Sequence, residues 1–310
     1  MRILITGCRG FVGSSVGHVA HARGHEVLGV ANSSQAPADW PGKFAAADVT
    51  HSDLAPLIRD FKPEMVLHAA GSASVGASIA NPIEDFRAAL YTWTNTLDGI
   101  RRSSLKPRVI FPSSAAVYGN PATLPVKELA PVQPLSPYGF HKAACELIAR
   151  EYAQCFGIDV IVCRLFSIYG PRQRRLLVWE LASQLAGPNE QVTLEGTGNE
   201  SRDYLHIDDI AEVFLRLADP SLKWPDEICP VLNVAFGRET SVRELAQQLQ
   251  SRIAPKKPIH AKGVQRPGDP LRWQADVTKL RTLLPQWSPR KLADGLEQCI
   301  DYWKRAAERA

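Results

Sequence analysis

Gly7-Cys8-Arg9-Gly10-Phe11-Val12-Gly13 is the stretch that decides the fold. It spaces three glycines by three, directly after the apolar run Ile3-Leu4-Ile5-Thr6 and at the mouth of a helical pattern over 11–23. A strand, a glycine turn and a helix in that order present main-chain N–H groups and the positive end of a helix dipole to an anion. Glycine allows the backbone angles and the close approach that such a turn needs. The expected ligand is a dinucleotide pyrophosphate at Gly7, Gly10, Phe11, Val12 and Gly13.

Working outward, short β-like runs alternate with helical patterns. Strands are expected over 3–6, 25–30, 44–49, 65–70, 108–112 and 159–166, with helices over 11–23, 52–61, 83–102 and 137–156. Such alternation implies βαβ units and a parallel sheet covered on both faces. The fold class is therefore α/β, a doubly wound parallel Rossmann sheet with a smaller C-terminal substrate-binding domain. Residues 1–165 form the NAD(P)-binding domain, with a later return at about 204–235. Residues 166–310 are mainly the substrate-binding domain, with helices over 207–217, 242–252 and 292–305.

Composition narrows the class. The chain has 310 residues, 45% hydrophobic and 22% charged, which are globular proportions. The formal charge of +4 is not gathered into a basic stripe, so a nucleic-acid partner is not expected. The six cysteines form no C-x-x-C pair and no metal-ligand spacing, which suggests reduced thiols and no metal. No apolar run reaches the ~18 residues of a membrane span, and the N-terminus has no apolar leader. A soluble, cytoplasmic protein without a membrane partner is expected.

The end of the second strand should choose the cofactor. An acid there would bind the ribose of NAD, but the chain reads Val30-Ala31-Asn32-Ser33-Ser34. Asn32 can hold a ribose, Ser33 and Ser34 can donate to a 2′-phosphate, and Arg9 can pair with one. This favours NADP over NAD. Asp48 and Val49 follow the third strand and are candidate adenine contacts; His68, Ala69 and Ala70 close the fourth strand at the same cleft.

Tyr138-Gly139-Phe140-His141-Lys142 gives Y-x-x-x-K. Residues four apart on a helix share a face, and an ammonium beside a phenol favours the phenolate. That suits proton transfer to or from an alcohol or carbonyl. A strand ends 24 residues earlier in Phe111-Pro112-Ser113-Ser114. A serine at the C-terminal end of a parallel strand faces the ligand crevice. Ser114 is the candidate to hold a substrate oxygen, although Ser113 and Ser114 can equally cap the strand end. The catalytic candidates are Ser114, Tyr138 and Lys142.

Together the glycine turn, Ser114 to Gly119 and the Tyr138–Lys142 pair resemble the extended short-chain dehydrogenase/reductase family, in its NAD-dependent epimerase/dehydratase branch typified by UDP-galactose 4-epimerase. The likeness extends through His68-Ala69-Ala70-Gly71, Arg164 to Pro171, Ser201 to Asp209, and Arg266-Pro267-Gly268-Asp269. It implies a nucleotide-diphosphate sugar lying between the two domains, with Arg202 and Arg266 on the diphosphate and Asp269 on the nucleotide ribose. It also implies a homodimer built from the helices at 83–102 and 137–156, and places Lys142 on the nicotinamide ribose.

Departures from the resemblance matter. Ser167 stands where many relatives have an asparagine on the diphosphate, and Ala89 where an asparagine lies near the active site. Ala31 replaces the ribose-binding acid. Ala115 and Ala116 replace the Asp-Glu pair of the 4,6-dehydratases, which argues against water elimination. The leading expectation is a nucleotide-sugar epimerase acting at C4 through a 4-keto intermediate. The alternative is an NADPH-dependent reductase of 4-keto-deoxy sugars, for which Arg9 and Ala31 speak. A non-catalytic cofactor-binding protein is the third.

Overall fold

In the computed structural model, which describes residues 1–264 and 271–308, the buried runs of the first half form strands in the expected order. They are β1 (Arg2–Thr6), β2 (Glu26–Ala31), β3 (Lys43–Ala46), β4 (Met65–His68), β5 (Arg108–Ser114) and β6 (Val160–Leu165). Between them lie α1 (Phe11–Ala22) and α2 (Ala55–Phe61), then α3 (Val75–Ala80), α4 (Pro82–Phe86), α5 (Thr92–Ser103) and α6 (Pro137–Phe156). The remainder comprises β7 (Ser167–Tyr169), α7 (Leu176–Ala186), β8 (Val192–Leu194), β9 (Ser201–His206), α8 (Ile207–Leu217) and β10 (Val231–Val234). It closes with β11 (Glu239–Ser241), α9 (Val242–Ile253), β12 (Ile259–Ala261), α10 (Thr278–Leu283) and α11 (Leu292–Ala307).

Seven strands make one sheet in the order β10-β6-β5-β4-β1-β2-β3, each pair parallel. The order reverses at β1, and the crevice beyond the strand ends at such a switch point is where ligands bind. Register sets Thr6 beside both Val30 and His68, so the ends of β1, β2 and β4 lie abreast. Alternation divides the core. Ile3 and Ile5 pack with α1 and α8 through Val16, Ala20 and Phe214. Leu4 faces the other side, with Leu54 just before α2 and Ile58 within it, Trp93 and Leu97 of α5, and Ala149 of α6. A separate core joins α7, α9 and α11 through Val178, Leu181, Leu245, Leu249 and Leu296. This part carries the three-stranded sheet β11-β9-β7 and the pair β12-β8.

The helix expected over 83–102 is interrupted: between α4 and α5 the residues Arg87–Tyr91 form a π-helical turn. The Thr92 hydroxyl donates to the Ala88 carbonyl at 2.6 Å, and such side-chain insertion into the ladder is one cause of a helix irregularity. The strand expected over 44–49 ends at Ala46. Beyond it Asp48 Oδ1 accepts from Thr50 N at 2.9 Å, and the Asp48 carbonyl accepts from the His51 and Ser52 N–H groups, which makes a turn in place of a strand.

Candidate active site

The glycine turn is built by contact. Gly7 has φ +69°, and a Cβ there would lie 2.5 Å from main-chain atoms of Ala69 and Ala70. On Gly13 a Cβ would come within 2.4 Å of the Gly7 carbonyl oxygen. The turn thus packs against both the end of β4 and the first turn of α1. Gly10 is the N-cap of α1, no side chain caps the helix, and no acid lies in its first turn. Main-chain donors of Phe11, Val12 and Gly13 therefore present themselves with the helix dipole behind them. These residues fit a dinucleotide pyrophosphate.

At the end of β2, Arg9 Nη1 donates to Ser33 Oγ at 3.0 Å and to Gln35 O at 3.3 Å. Arg9, Asn32 and Ser34 are exposed, and Ala31 is buried. The structure brings Arg9 and Ser33 together, 24 residues apart in the chain. Asp48 is exposed and hydrogen-bonded to His51 Nδ1 at 2.9 Å, and that hydrogen bond holds its carboxyl below the usual range. Val49 is buried beneath it, its carbonyl held by Asn95 Nδ2 at 2.8 Å.

His68 turns inward. Its ring is 2% exposed, with Nδ1 3.0 Å from Thr6 Oγ1 and 3.1 Å from Thr96 Oγ1. Burial, helped by the charge of Lys142, pulls it down to about 3, so it is neutral. What this strand end offers the crevice is the backbone at Ala69 and Ala70. Thr6, which sequence reading passed over, also reaches the Ala70 N–H at 3.4 Å.

Ser113 and Ser114 separate in role. Ser113 Oγ donates to Glu146 Oε1 at 2.6 Å, and Glu146 is ion-paired with buried Arg164 at 2.7 Å. Ser113 is thereby tied into the sheet's scaffold. Ser114 is half-buried, and its Oγ accepts from Ala116 N at 3.2 Å, capping the 3₁₀ turn Ala115–Tyr118. Across from it α6 begins at Ser136, whose side chain caps Gly139 N. Tyr138 and Lys142 lie on the first turns of that helix. Lys142 Nζ donates to the Pro112 carbonyl at 3.0 Å and lies 5.9 Å from the centre of the Tyr138 ring. The Tyr138 N–H donates to Ser78 Oγ of α3 at 3.1 Å. No pattern in the sequence marks Ser78, because α3 is only six residues long. The Tyr138–Lys142 pair is thus anchored at the end of β5, the strand that Ser114 closes.

In the C-terminal part, Ser167 opens β7 and is half-buried. Arg202 on β9 sits over the Trp273 ring at 5.5 Å, and Trp273 packs edge-on against Phe166 at 5.9 Å. Trp273 is a site neighbour that the sequence reading did not single out. Arg266 and Asp269 lie outside the described residues. The loop after β7 reaches back to the Rossmann side, where Arg172 pairs with Asp39. No group of metal-binding side chains occurs among the described residues, nor is any helix among them long and apolar enough to cross a membrane.

Comparison with known proteins agrees with this layout. Residues 3–228 match the NAD dependent epimerase/dehydratase family. A UDP-glucose 4-epimerase of Mycolicibacterium smegmatis is 30% identical over 99% of this chain and 100% of its own length. Among solved structures, a Thermotoga maritima UDP-glucose 4-epimerase with UDP-glucose superposes with a TM-score of 0.89 at 27% identity, covering 99% of this chain and 100% of its own. The Thermus thermophilus UDP-glucose 4-epimerase complex with NAD gives 0.85 at 30% identity, covering 99% and 100%.

Proposed function

The chain belongs to the NAD dependent epimerase/dehydratase family, and from that premise we infer that it is an NAD-dependent nucleotide-sugar epimerase of the extended short-chain dehydrogenase/reductase type, acting at C4 through a 4-keto intermediate. The observation that carries the reading is the Tyr138–Lys142 pair anchored at the end of β5, the strand that Ser114 closes, together with a glycine turn shaped for a dinucleotide. The Mycolicibacterium smegmatis and Thermotoga maritima relatives are UDP-glucose 4-epimerases, which makes a UDP-sugar the first substrate to try.

The residues divide the work as follows. NAD held at the glycine turn would supply a reversible hydride acceptor for C4 of the sugar. Tyr138 removes the C4 hydroxyl proton and later returns it, acting as base and then as acid. Lys142, fixed by the Pro112 carbonyl, keeps a positive charge against the phenolate and on the ribose of the cofactor. Ser114 donates to the C4 oxygen. Arg202, Ser167 and Arg266 hold the nucleotide diphosphate and Asp269 accepts from the hydroxyls of the nucleotide ribose while the keto sugar turns its other face. Arg suits the diphosphate because its fork matches phosphate geometry.

The sequence leaned toward NADP. The family is NAD dependent and a solved relative carries NAD, so NAD is the cofactor. Arg9 beside Ser33 supports a tolerance for the 2′-phosphate of NADP, with Gly7, Gly10, Phe11, Val12 and Gly13 on the pyrophosphate. Asn32, Ser33, Ser34, Asp48, Val49, Ala69 and Ala70 complete the proposed cofactor site, with His68 behind it. A cytoplasmic homodimer is part of the same reading. Ile83 and Phe140 are 55% and 60% exposed on α4 and α6, and Leu147 and Phe156 are exposed further along α6. That face is the one expected to meet a second copy.

Conversion of UDP-galactose to UDP-glucose by purified protein tests the reading. Tyr138→Phe should leave folding and NAD binding intact and slow turnover by about 10²-fold or more. Lys142→Ala should also weaken NAD. Turnover unchanged in the Tyr138 variant would remove that residue from the mechanism, and consumption of NADPH with a 4-keto sugar would favour a reductase.

A further inference from the structure

A cavity of ≈ 430 Å³ lies between the small sheet and the helices α9 and α11. It is of the size that small-molecule sites have, roughly 300–1,000 Å³. None of the residues assigned above to cofactor, proton transfer or diphosphate lines it.

Its lining is sorted by chemistry. Glu244, Gln248 and Arg252 recur every four residues on α9, so one face of that helix makes a wall. Arg238 and Lys291 join Arg252 as cations, and all three are exposed to solvent. Glu244 is the one carboxylate among the lining residues, and its Oε1 is 3.8 Å from Arg238 Nη2. The lining therefore carries an excess of positive charge. Phe236 and Leu292 add apolar surface, and Thr240 adds a buried hydroxyl group.

Tyr204 of β9 also lines the cavity. It is 5% exposed, and its hydroxyl is buried with no hydrogen-bond partner. Nearly every buried polar group in a folded protein has a partner in protein, water or ligand. The Tyr204 hydroxyl lacks the first.

We propose that this cavity binds a sugar phosphate, its phosphate at Arg238, Arg252 and Lys291 and its hydroxyls on Glu244, Gln248 and Thr240. The mixture of groups selects the class. An inorganic anion would use the cations and leave the carboxylate and amide idle, whereas a neutral sugar would leave three cations unused. The apolar surface of Phe236 suits the C–H face of a sugar ring. The site stands apart from the epimerase reading, since it needs neither NAD nor Tyr138.

Its location gives it a route to the cleft. Arg202 and Tyr204 are two residues apart on β9, and Asp203 between them accepts from the N–H groups of Phe236 at 2.9 Å and Ala275 at 3.1 Å. One strand thus touches the cavity lining and the segment bearing Trp273.

Isothermal titration of glucose 1-phosphate into the NAD-loaded protein, with the cleft saturated by UDP, tests the proposal. Binding should persist under UDP. It should weaken about tenfold or more, ~1.4 kcal/mol, in Arg238→Ala/Arg252→Ala, with UDP-galactose turnover unchanged. Gln248→Ala should weaken it severalfold without shifting the melting temperature. Absence of heat at millimolar ligand, or displacement by UDP, overturns the proposal. So does unaltered binding by the folded double variant, or equally tight binding of inorganic phosphate, which would mark a bare anion patch. UDP-galactose turnover by the same preparation reports separately on the epimerase reading.

Discussion

Replacing Gly7 by alanine separates what the glycine turn does for the fold from what it does for the cofactor. The residue sits at φ +69°, in the left-handed region, and its new Cβ would lie 2.5 Å from the carbonyl carbon and oxygen of Ala69 and from the Ala70 nitrogen. Left-handed backbone costs an L-residue about 1–2 kcal/mol. The overlap is with main chain at the end of a central strand, so relief requires backbone movement, which typically costs about 1–3 kcal/mol. The expected loss is about 2–5 kcal/mol, a large share of a typical folding stability. Gly24 supplies an internal control: it has φ +78° and nothing within 4 Å of a built Cβ. Gly24→Ala should show only the backbone part, about 1–2 kcal/mol, and bind NAD normally. Gly13→Ala completes the set. Its Cβ would press on the Gly7 carbonyl at 2.4 Å without a backbone penalty, and alanine favours the helix by about 1 kcal/mol. It should lose NAD more than it loses stability. Urea unfolding of the apo proteins and calorimetric NAD binding supply both axes. If Gly7→Ala unfolds at the same urea concentration as Gly24→Ala and keeps its NAD affinity, the contact argument for this turn is wrong.

Arg9→Ala should leave NAD affinity unchanged and weaken NADP by about tenfold or more, as expected for a lost charge-assisted contact of about 1.5–3 kcal/mol; wild-type NADP binding more than about tenfold weaker than NAD would refute the tolerance. Acid should destabilise the chain through two buried imidazoles, against an opposing contribution from Asp203, whose carboxyl burial raises to about 7. Burial lowers His68 to about 3 and His206 to about 4, whereas in the unfolded chain both titrate near ~6.5. As pH falls below that value the unfolded state binds protons first, so stability is lost on acidification, by up to about 1.4 kcal/mol per pH unit for each ring, until the folded rings also titrate. Chemical denaturation from pH 7 to 4 should show His68→Gln losing less stability per pH unit than wild type, since Asp203 offsets part of the slope in both; identical slopes would contradict the account. Phe140→Glu with Leu147→Glu should convert a dimer to a folded monomer in sedimentation, and a wild-type sedimentation mass of one chain at micromolar concentration would end the homodimer reading.

The half of the chain that builds the sheet was legible because each signal there is long or chemically singular. Pro137–Phe156 runs five turns from a serine cap to a glycine, and Phe11–Ala22 starts at a glycine turn. In the other half, β7, β8, β11 and β12 have three residues each, too few for a period of two to register. The sequence Leu176–Ala186 is apolar on nearly every side, so the helix shows little polar stripe to read. The π-helical turn was invisible because it depends on which carbonyl the Thr92 hydroxyl finds. Within the candidate site, residue types could be named but not their orientation. Ser113 and Ser114 are equivalent in sequence, and only the glutamate 33 residues away, reached by Ser113 at 2.6 Å, tells them apart. His68 reads as a crevice residue by position, yet threonines 28 and 62 residues away hold its ring inside the core.

Two departures from the resemblance gain a physical sense from this geometry. Ala89 lies within the π-helical turn, 7% exposed and packed into the same core cluster as Trp93. No side chain there can orient Lys142, and none is needed, because the Pro112 carbonyl fixes the ammonium directly. Main-chain support of that kind survives substitution of the neighbouring side chains. Ala115 and Ala116 bear on the reaction itself. They form the turn that Ser114 caps, with Ala115 wholly buried. Elimination of water needs a group to take a proton from one carbon and another to protonate the departing hydroxyl. In the proposed site at the end of β5, one proton-moving side chain, Tyr138, is assigned to the sugar. A single group suffices when the second half of a reaction is the reverse of the first on the opposite face, with the proton taken from an oxygen and returned to it. Epimerisation at C4 has that form, and dehydration does not.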